Sequence, residues 1–201
     1  MVRAQAIDWE RVLRQASGHL VLPAVAAALR DLDLSRSLDE ELRAFLEAVH
    51  GANVERNREL RGELTAVIGV LNRVGIEPVL LKGAIRLVDG LYPDEGWRML
   101  RDLDLLVPEA RSAAALQALQ RAGYTLAREA AAAAVLRRPG GPVTIDVHTE
   151  PFSTPSRQGL LSGEEVLNGA RPGIIGNAVV RLPSLLHQMI HQQQTHVPEN
   201  S

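Results

Sequence analysis

Arg101-Asp102-Leu103-Asp104-Leu105-Leu106-Val107 is the stretch on which the reading of this chain turns. It is short, apolar apart from its acids, and closed by Pro108, as a buried strand is. Side chains alternate across a strand, so Asp102 and Asp104 share one face and Leu103 and Leu105 the other. Two carboxylates two residues apart on a core strand repel each other and resist leaving water. A divalent cation between them removes both difficulties. Hard oxygen donors suit Mg²⁺, which keeps waters and phosphate oxygens in its other positions.

Upstream, Pro78-Val79-Leu80-Leu81 is a second short buried run, ending at Lys82-Gly83-Ala84, with a helix expected from Ala84 to about Tyr92. Lys82 is the only lysine among 22 Lys and Arg residues. In a chain so biased toward arginine, a compact ammonium on a flexible stem offers what a planar guanidinium does not. Gly83 lets the backbone approach a phosphate, and the helix start supplies N–H donors. Lys82 and Arg98, the latter in the loop before the acidic strand, are candidates for a triphosphate.

Downstream, Val135–Arg138 and Val143–His148 flank Pro139-Gly140-Gly141-Pro142, a hairpin signature. Alternation puts Asp146 and His148 on one face. With these strands as sheet neighbours, Asp102, Asp104 and Asp146 meet at one end. Three acids of that kind hold the two metal ions of in-line phosphoryl or nucleotidyl transfer.

The flanks read as follows. Residues 8–34 have helical spacing, with Pro23 marking a break or a new first turn. Ser37-Leu38-Asp39-Glu40 has the capping-box pattern and opens a helical stretch to about Val74. Its apolar stripe is interrupted by Asn53, Arg56 and Asn57, so either the helix breaks near Gly51 or a polar wall lines a cleft. Glu109 to about Ala122 is an amphipathic helix, and Ala130–Ala134 is ambiguous between helix and strand. Residues 151–181 read as loop, apart from a short helix near 163–168. Pro183-Ser184 starts a last helix carrying His187 and His191, with His196 beyond. The i, i+4 histidines have zinc-binding spacing but no evident third ligand. With Asn53, Arg56 and Asn57 they are candidates to line an acceptor cleft. The layout is a helical N-terminal region (1–75), a core (76–150) and a loop-rich segment with a C-terminal helix (151–201), a mixed α/β chain of the α+β class.

Composition narrows the function. The 201 residues carry a net charge of −2, which argues against general nucleic-acid coating. No run reaches the roughly 20 apolar residues of a membrane span. The absence of cysteine removes thiolate chemistry and fits a cytoplasmic location.

Leu80-Leu81-Lys82-Gly83-Ala84, Tyr92-Pro93-Asp94-Glu95-Gly96, Arg98, Asp102–Val107 and Ile145-Asp146-Val147-His148 together resemble the bacterial uncharacterised nucleotidyltransferase family, of the DNA-polymerase-β-like superfamily. The resemblance is firmest over about residues 40–150. It implies a polymerase-β-like core sheet and transfer of a nucleoside monophosphate from an NTP, ATP first among them, to a hydroxyl or amine acceptor, small or macromolecular, with release of pyrophosphate. It implies two Mg²⁺ ions on Asp102, Asp104 and Asp146, the last able to take the acceptor's proton. It puts Gly83 where the superfamily has its phosphate-binding glycine; Lys82, Ala84, Arg98 and His148 are the other candidates to contact the nucleotide. The chain departs from the family in having Ala84 where a serine or glycine is usual, and a longer gap from Gly83 to Asp102. The alternatives are a catalytically degenerate nucleotide- or partner-binding protein, or a toxin/antitoxin-type enzyme modifying protein or RNA. The resembled family continues with further helical sequence beyond the last helix, and a C-terminal truncation is one reading of that.

Overall fold

The structure, a computed structural model, describes residues 7–152 and 159–195; His196 lies outside them. The chain divides into two compact units. One comprises residues up to Arg58 together with Tyr92–Met99; the other comprises Glu59–Leu91 and the chain from Leu100 onward.

The first unit contains α1 (Trp9–Gly18), α2 (Leu22–Asp31) and the beginning of α3 (Glu40–Arg73). Asp8 caps α1 by accepting from the Arg11 N–H, and Pro23 sits in the first turn of α2, where a missing N–H costs nothing. Ala16, Leu22, Ala26, Leu42 and Leu46 form its core. The cap of α3 is Asp39, whose carboxylate accepts from the Leu42 N–H at 2.8 Å, and not Ser37, whose hydroxyl donates to the Leu34 carbonyl.

α3 is one unbroken helix of 34 residues. The break considered near Gly51 does not occur: the helix runs on through the polar interruption, where Asn53 and Asn57 are buried and their amide N–H groups are bonded. Asn53 donates to the carbonyls of Gly96 and Arg98, at 2.7 and 3.2 Å, and Asn57 to those of Glu95 and Arg98, at 2.5 and 2.8 Å. The two amides thus clamp the backbone of the 95–98 loop. α3 ends at Gly75, whose φ of +71° suits a residue without Cβ.

The second unit is built on a seven-stranded mixed sheet with the order β3-β4-β5-β2-β1-β7-β6. Its strands are β1 (Val79–Leu80), β2 (Asp102–Leu106), β3 (Thr125–Ala130), β4 (Ala133–Arg137), β5 (Thr144–His148), β6 (Arg171–Ile175) and β7 (Ala178–Leu182). The helices are the end of α3, α4 (Ser112–Arg121), α5 (Gly163–Gly169) and α6 (Leu185–Thr195). The α+β class expected from the sequence is what is found.

Four local expectations change. The helix predicted from Ala84 to Tyr92 is a 3₁₀ stretch from Lys82 to Leu87. The ambiguous Ala130–Ala134 segment is the tip of the β3–β4 hairpin: the end of β3, a turn at Ala131-Ala132 and the start of β4. β3 itself, exposed along its whole length, has no buried alternation to announce it. The loop expected over 151–181 gives way from Arg171 on to the β6–β7 hairpin, and β7 pairs in parallel with β1 through Val79 and Arg181.

The sheet is covered unevenly. On one face Leu103, Leu105, Leu136, Ile145 and Val180 pack with Leu64, Ile68 and Leu71 of α3 and Leu119 of α4. On the other, Val79, Leu81 and Leu106 pack with Phe152, Leu161 and Val166. Alternation places Asp102 and Asp104 on that second face, beside Leu106.

Candidate active site

β2 and β5 are parallel neighbours whose register pairs Asp102 with Thr144, Asp104 with Asp146, and Leu106 with His148. Directly opposed residues point to the same face, so Asp104 and Asp146 stand side by side. Asp104 is fully buried. Ligand atoms of Asp104, Asp146 and His148 all lie within 4.8 Å of one another. Asp102, half-buried one row along the strand, stands outside that trio.

Two donors converge on one oxygen of Asp104. The Lys82 ammonium donates to Oδ1 at 2.5 Å and His148 Nε2 donates to the same atom at 2.9 Å. A carboxylate only accepts, so His148 carries a proton on Nε2, and in the neutral ring Nδ1 keeps its lone pair. Lys82 reaches this position from a backbone with φ +48°, the left-handed region that costs a residue with a side chain about 1–2 kcal/mol. That turn ends β1 and aims the ammonium at Asp104. The following Ala84 N–H is spent on the Leu81 carbonyl at 3.1 Å, and Gly83 is buried.

The electrostatics follow from this crowding. Burial pushes the Asp146 carboxyl above its usual range, and the charge of Asp104 adds to the shift. Asp102 is raised for the same two reasons in the same order. Burial works to raise Asp104 as well, but the His148 hydrogen bond and the Lys82 charge outweigh it and hold Asp104 low. Asp104 Oδ2, Asp146 Oδ1 and His148 Nδ1 are buried without a hydrogen-bond partner among the described residues. Three orphaned acceptors, two of them on carboxylates, fit a divalent cation. The oxygen and imidazole donor set accommodates Mg²⁺ or Mn²⁺ and also tolerates zinc-like ions.

A cavity of about 810 Å³ opens over this face, with Lys82, Asp146, His148 and the Ala130–Ala133 turn in its wall. A wider groove of about 960 Å³, lined by residues including Asn72, Glu77 and Arg181, contains none of the three aspartates.

The remaining expected residues lie as follows. Arg98 belongs to the first unit, where its carbonyl accepts from Asn53 and Asn57. Arg56 is half-buried on α3. His191 is buried, donates through Nε2 to the Pro151 carbonyl at 2.7 Å and packs on the Phe152 ring. Its donor is spent on backbone, and with Lys82 and His187 it lines a small cavity. His187, half-buried on α6, and His191 do not form a three-ligand metal cluster among the described residues. The pairing of His148 with Asp104 was not foreseen; it depends on the β2–β5 register, which no single strand reveals.

The site is thus a mixed sheet presenting paired aspartates beside a lysine–glycine turn. A family profile described as an uncharacterised nucleotidyltransferase matches residues 5–199, and the chain belongs to that family. It is therefore a transferase. No curated protein matches the chain. No helix among the described residues is long and apolar enough to cross a membrane.

Proposed function

We propose that this protein transfers a nucleoside monophosphate from an NTP, ATP being the first to test, to a hydroxyl or amine acceptor in the presence of Mg²⁺. The observation that carries the reading is the set of unsatisfied buried atoms on Asp104, Asp146 and His148, placed side by side by the β2–β5 register. Asp104 Oδ2 and Asp146 Oδ1 would hold the cation, with Asp102 available to a second ion one row away. A divalent cation bound there supplies neutralisation of the charge that builds on the α-phosphate.

The chain's own groups do the rest. Lys82 places a positive charge at the phosphate-facing end of the acidic row, and Gly83 lets the backbone come close. Asp146 accepts the proton of the attacking acceptor group. An oxygen–phosphorus bond forms at the α-phosphate (nitrogen–phosphorus for an amine), the bond to the β-phosphate oxygen breaks, and pyrophosphate leaves. His148 holds Asp104 in a fixed orientation.

Replacement of Asp104 by Asn keeps a hydrogen-bond acceptor for Lys82 and His148 but removes the charge. Asp104→Asn is expected to lower Mg²⁺-dependent pyrophosphate release from the four ribonucleoside triphosphates by about 10²–10³-fold, with an unchanged circular-dichroism spectrum. Mass spectrometry of the products identifies the acceptor. Undiminished release in the folded variant would remove Asp104 from the chemistry.

A further inference from the structure

We propose that Arg128, on the edge strand β3, is a phosphate-recognising residue of the cavity over the acidic row. The proposal rests on the nucleotidyl-transfer reading above and extends it to the substrate's second anionic contact.

The argument begins with register. Arg128 pairs with Val135, Val135 with Asp146, and Asp146 with Asp104. Residues directly opposed across neighbouring strands share a face, so these four side chains form one row across four strands. Simple alternation along β3 does not put Arg128 there. Leu126 pairs with Leu136, which belongs to the opposite, core-packed face, and two residues further on Arg128 would return to that same face. The ladder slips between Leu126 and Arg128, so that the intervening Ala127 is extra. A bulge of this kind re-aims the side chain that follows it, and here it swings Arg128 onto the face of the aspartates.

Charge gives the second line. Arg128 lines the 810 Å³ cavity together with Asp146, His148 and Lys82, and the other charged residues in its wall are Glu109 and Glu150. Of its two permanent cations, Lys82 is already bonded to Asp104. Arg128 is exposed and has no hydrogen-bond or ion-pair partner among the described residues. An unpaired guanidinium at the mouth of an acidic cavity is suited to an anion, and its planar fork matches phosphate oxygens in pairs. Val135 is the one side chain between it and Asp146 in the row, and the neighbouring Ala130–Ala133 in the cavity wall are small. Strand spacing puts the Arg128 backbone roughly 10 Å from that of Asp146, within reach of a phosphoryl group next to the reacting one. That phosphoryl group belongs either to the triphosphate or to a phosphorylated acceptor.

The test uses the full chain and two probes. The first is α,β-methylene-ATP with Mg²⁺, titrated by calorimetry. The second is inorganic phosphate, titrated in the presence of saturating analogue. Arg128→Ala is expected to weaken one of the two at least tenfold, with Arg128→Lys intermediate because it keeps charge but loses the fork. Arg121→Ala, at the exposed end of α4, serves as the charge-matched control and is expected to bind both probes as the parent does. Loss confined to the analogue assigns Arg128 to the triphosphate; loss confined to phosphate assigns it to the acceptor. Unaltered binding of both probes by Arg128→Ala, with an unchanged melting temperature, overturns the proposal. Should the parent bind phosphate through Arg128 but not the analogue, the nucleotidyl-transfer reading fails and the Arg128 site stands. Binding of neither probe by the parent overturns both.

Discussion

Asp146 sits opposite Asp104 with burial already pressing it toward neutrality, so the like-charged pair works against folding. Like charges directly opposed in a sheet cost about 0.2–1 kcal/mol, and in a chain of this size that corresponds to a few degrees of melting temperature at most. In the absence of divalent cations, Asp146→Asn is expected to melt about 1–4 °C higher than the parent. Added Mg²⁺ should raise the parent's melting temperature through binding to the native state alone, and leave that of the variant nearly unmoved. A scan with and without chelator checks both arms. The identity of this residue as an acid was legible in the sequence, because a two-residue period on a short apolar run says which side chains share a face. What that face meets was not legible. His148 looks like an ordinary strand histidine until the parallel pairing of β2 with β5 sets it against Asp104. The left-handed turn at Lys82 was equally hidden, since nothing in Leu81-Lys82-Gly83 shows which of the last two residues takes the positive φ.

Among the elements, α3 shows how a polar gap in an apolar stripe can be structural. The amides of Asn53 and Asn57 replace the partners that the carbonyls of Glu95, Gly96 and Arg98 would otherwise find in water. Asn57→Ala leaves two of those carbonyls short of a donor, at about 1–3 kcal/mol. The expected outcome is a lower urea midpoint and faster proteolytic cleavage within residues 93–98. Gly96 is tied to the same clamp, since a Cβ there would lie 2.3 Å from His50 Nε2. Elements announced by strong local signals, such as β2 and the β4–β5 hairpin with its Pro-Gly-Gly-Pro turn, could be read in advance. β6 and β7 could not: Arg171-Pro172-Gly173 looks like loop. β7 becomes a strand because the two-residue β1 offers it an open edge. β3 lacks an inward side that would have given it away; its pairing with β4 is what orders it.

In the sheet-bearing unit, the two faces divide the labour. One is sealed by α3 and α4 and supplies the core; the other is covered by α5, Phe152 and the flank of α6, leaving β3–β5 open to the cavity. His191 is part of that partial cover, and its pH behaviour belongs to the fold as a whole. Burial pushes its pKa below the usual 6.5, although the bond to the Pro151 carbonyl opposes this. The native state therefore binds fewer protons than the unfolded chain just below pH 6.5. Its contribution is complete above that value and is lost as pH falls through the lowered native pKa. Asp102 and Asp146 act in the opposite sense in a more acidic window: their native pKa values are raised, so the penalty they impose at neutral pH is relieved as pH falls toward the carboxyl range. His191→Gln, which keeps a donor but does not titrate, is expected to flatten the fall in melting temperature as pH drops below 6.5.

The lone lysine gives the chain an unusual chemical address. Lys82 is its one side-chain amine, and 34% of that side chain is open to solvent while the tip rests on Asp104. A ribonucleotide whose sugar has been opened to a dialdehyde condenses only with amines. Apart from the α-amino group, this chain offers such a reagent a single landing point, so the mass of one tagged peptide reports directly on what occupies the centre.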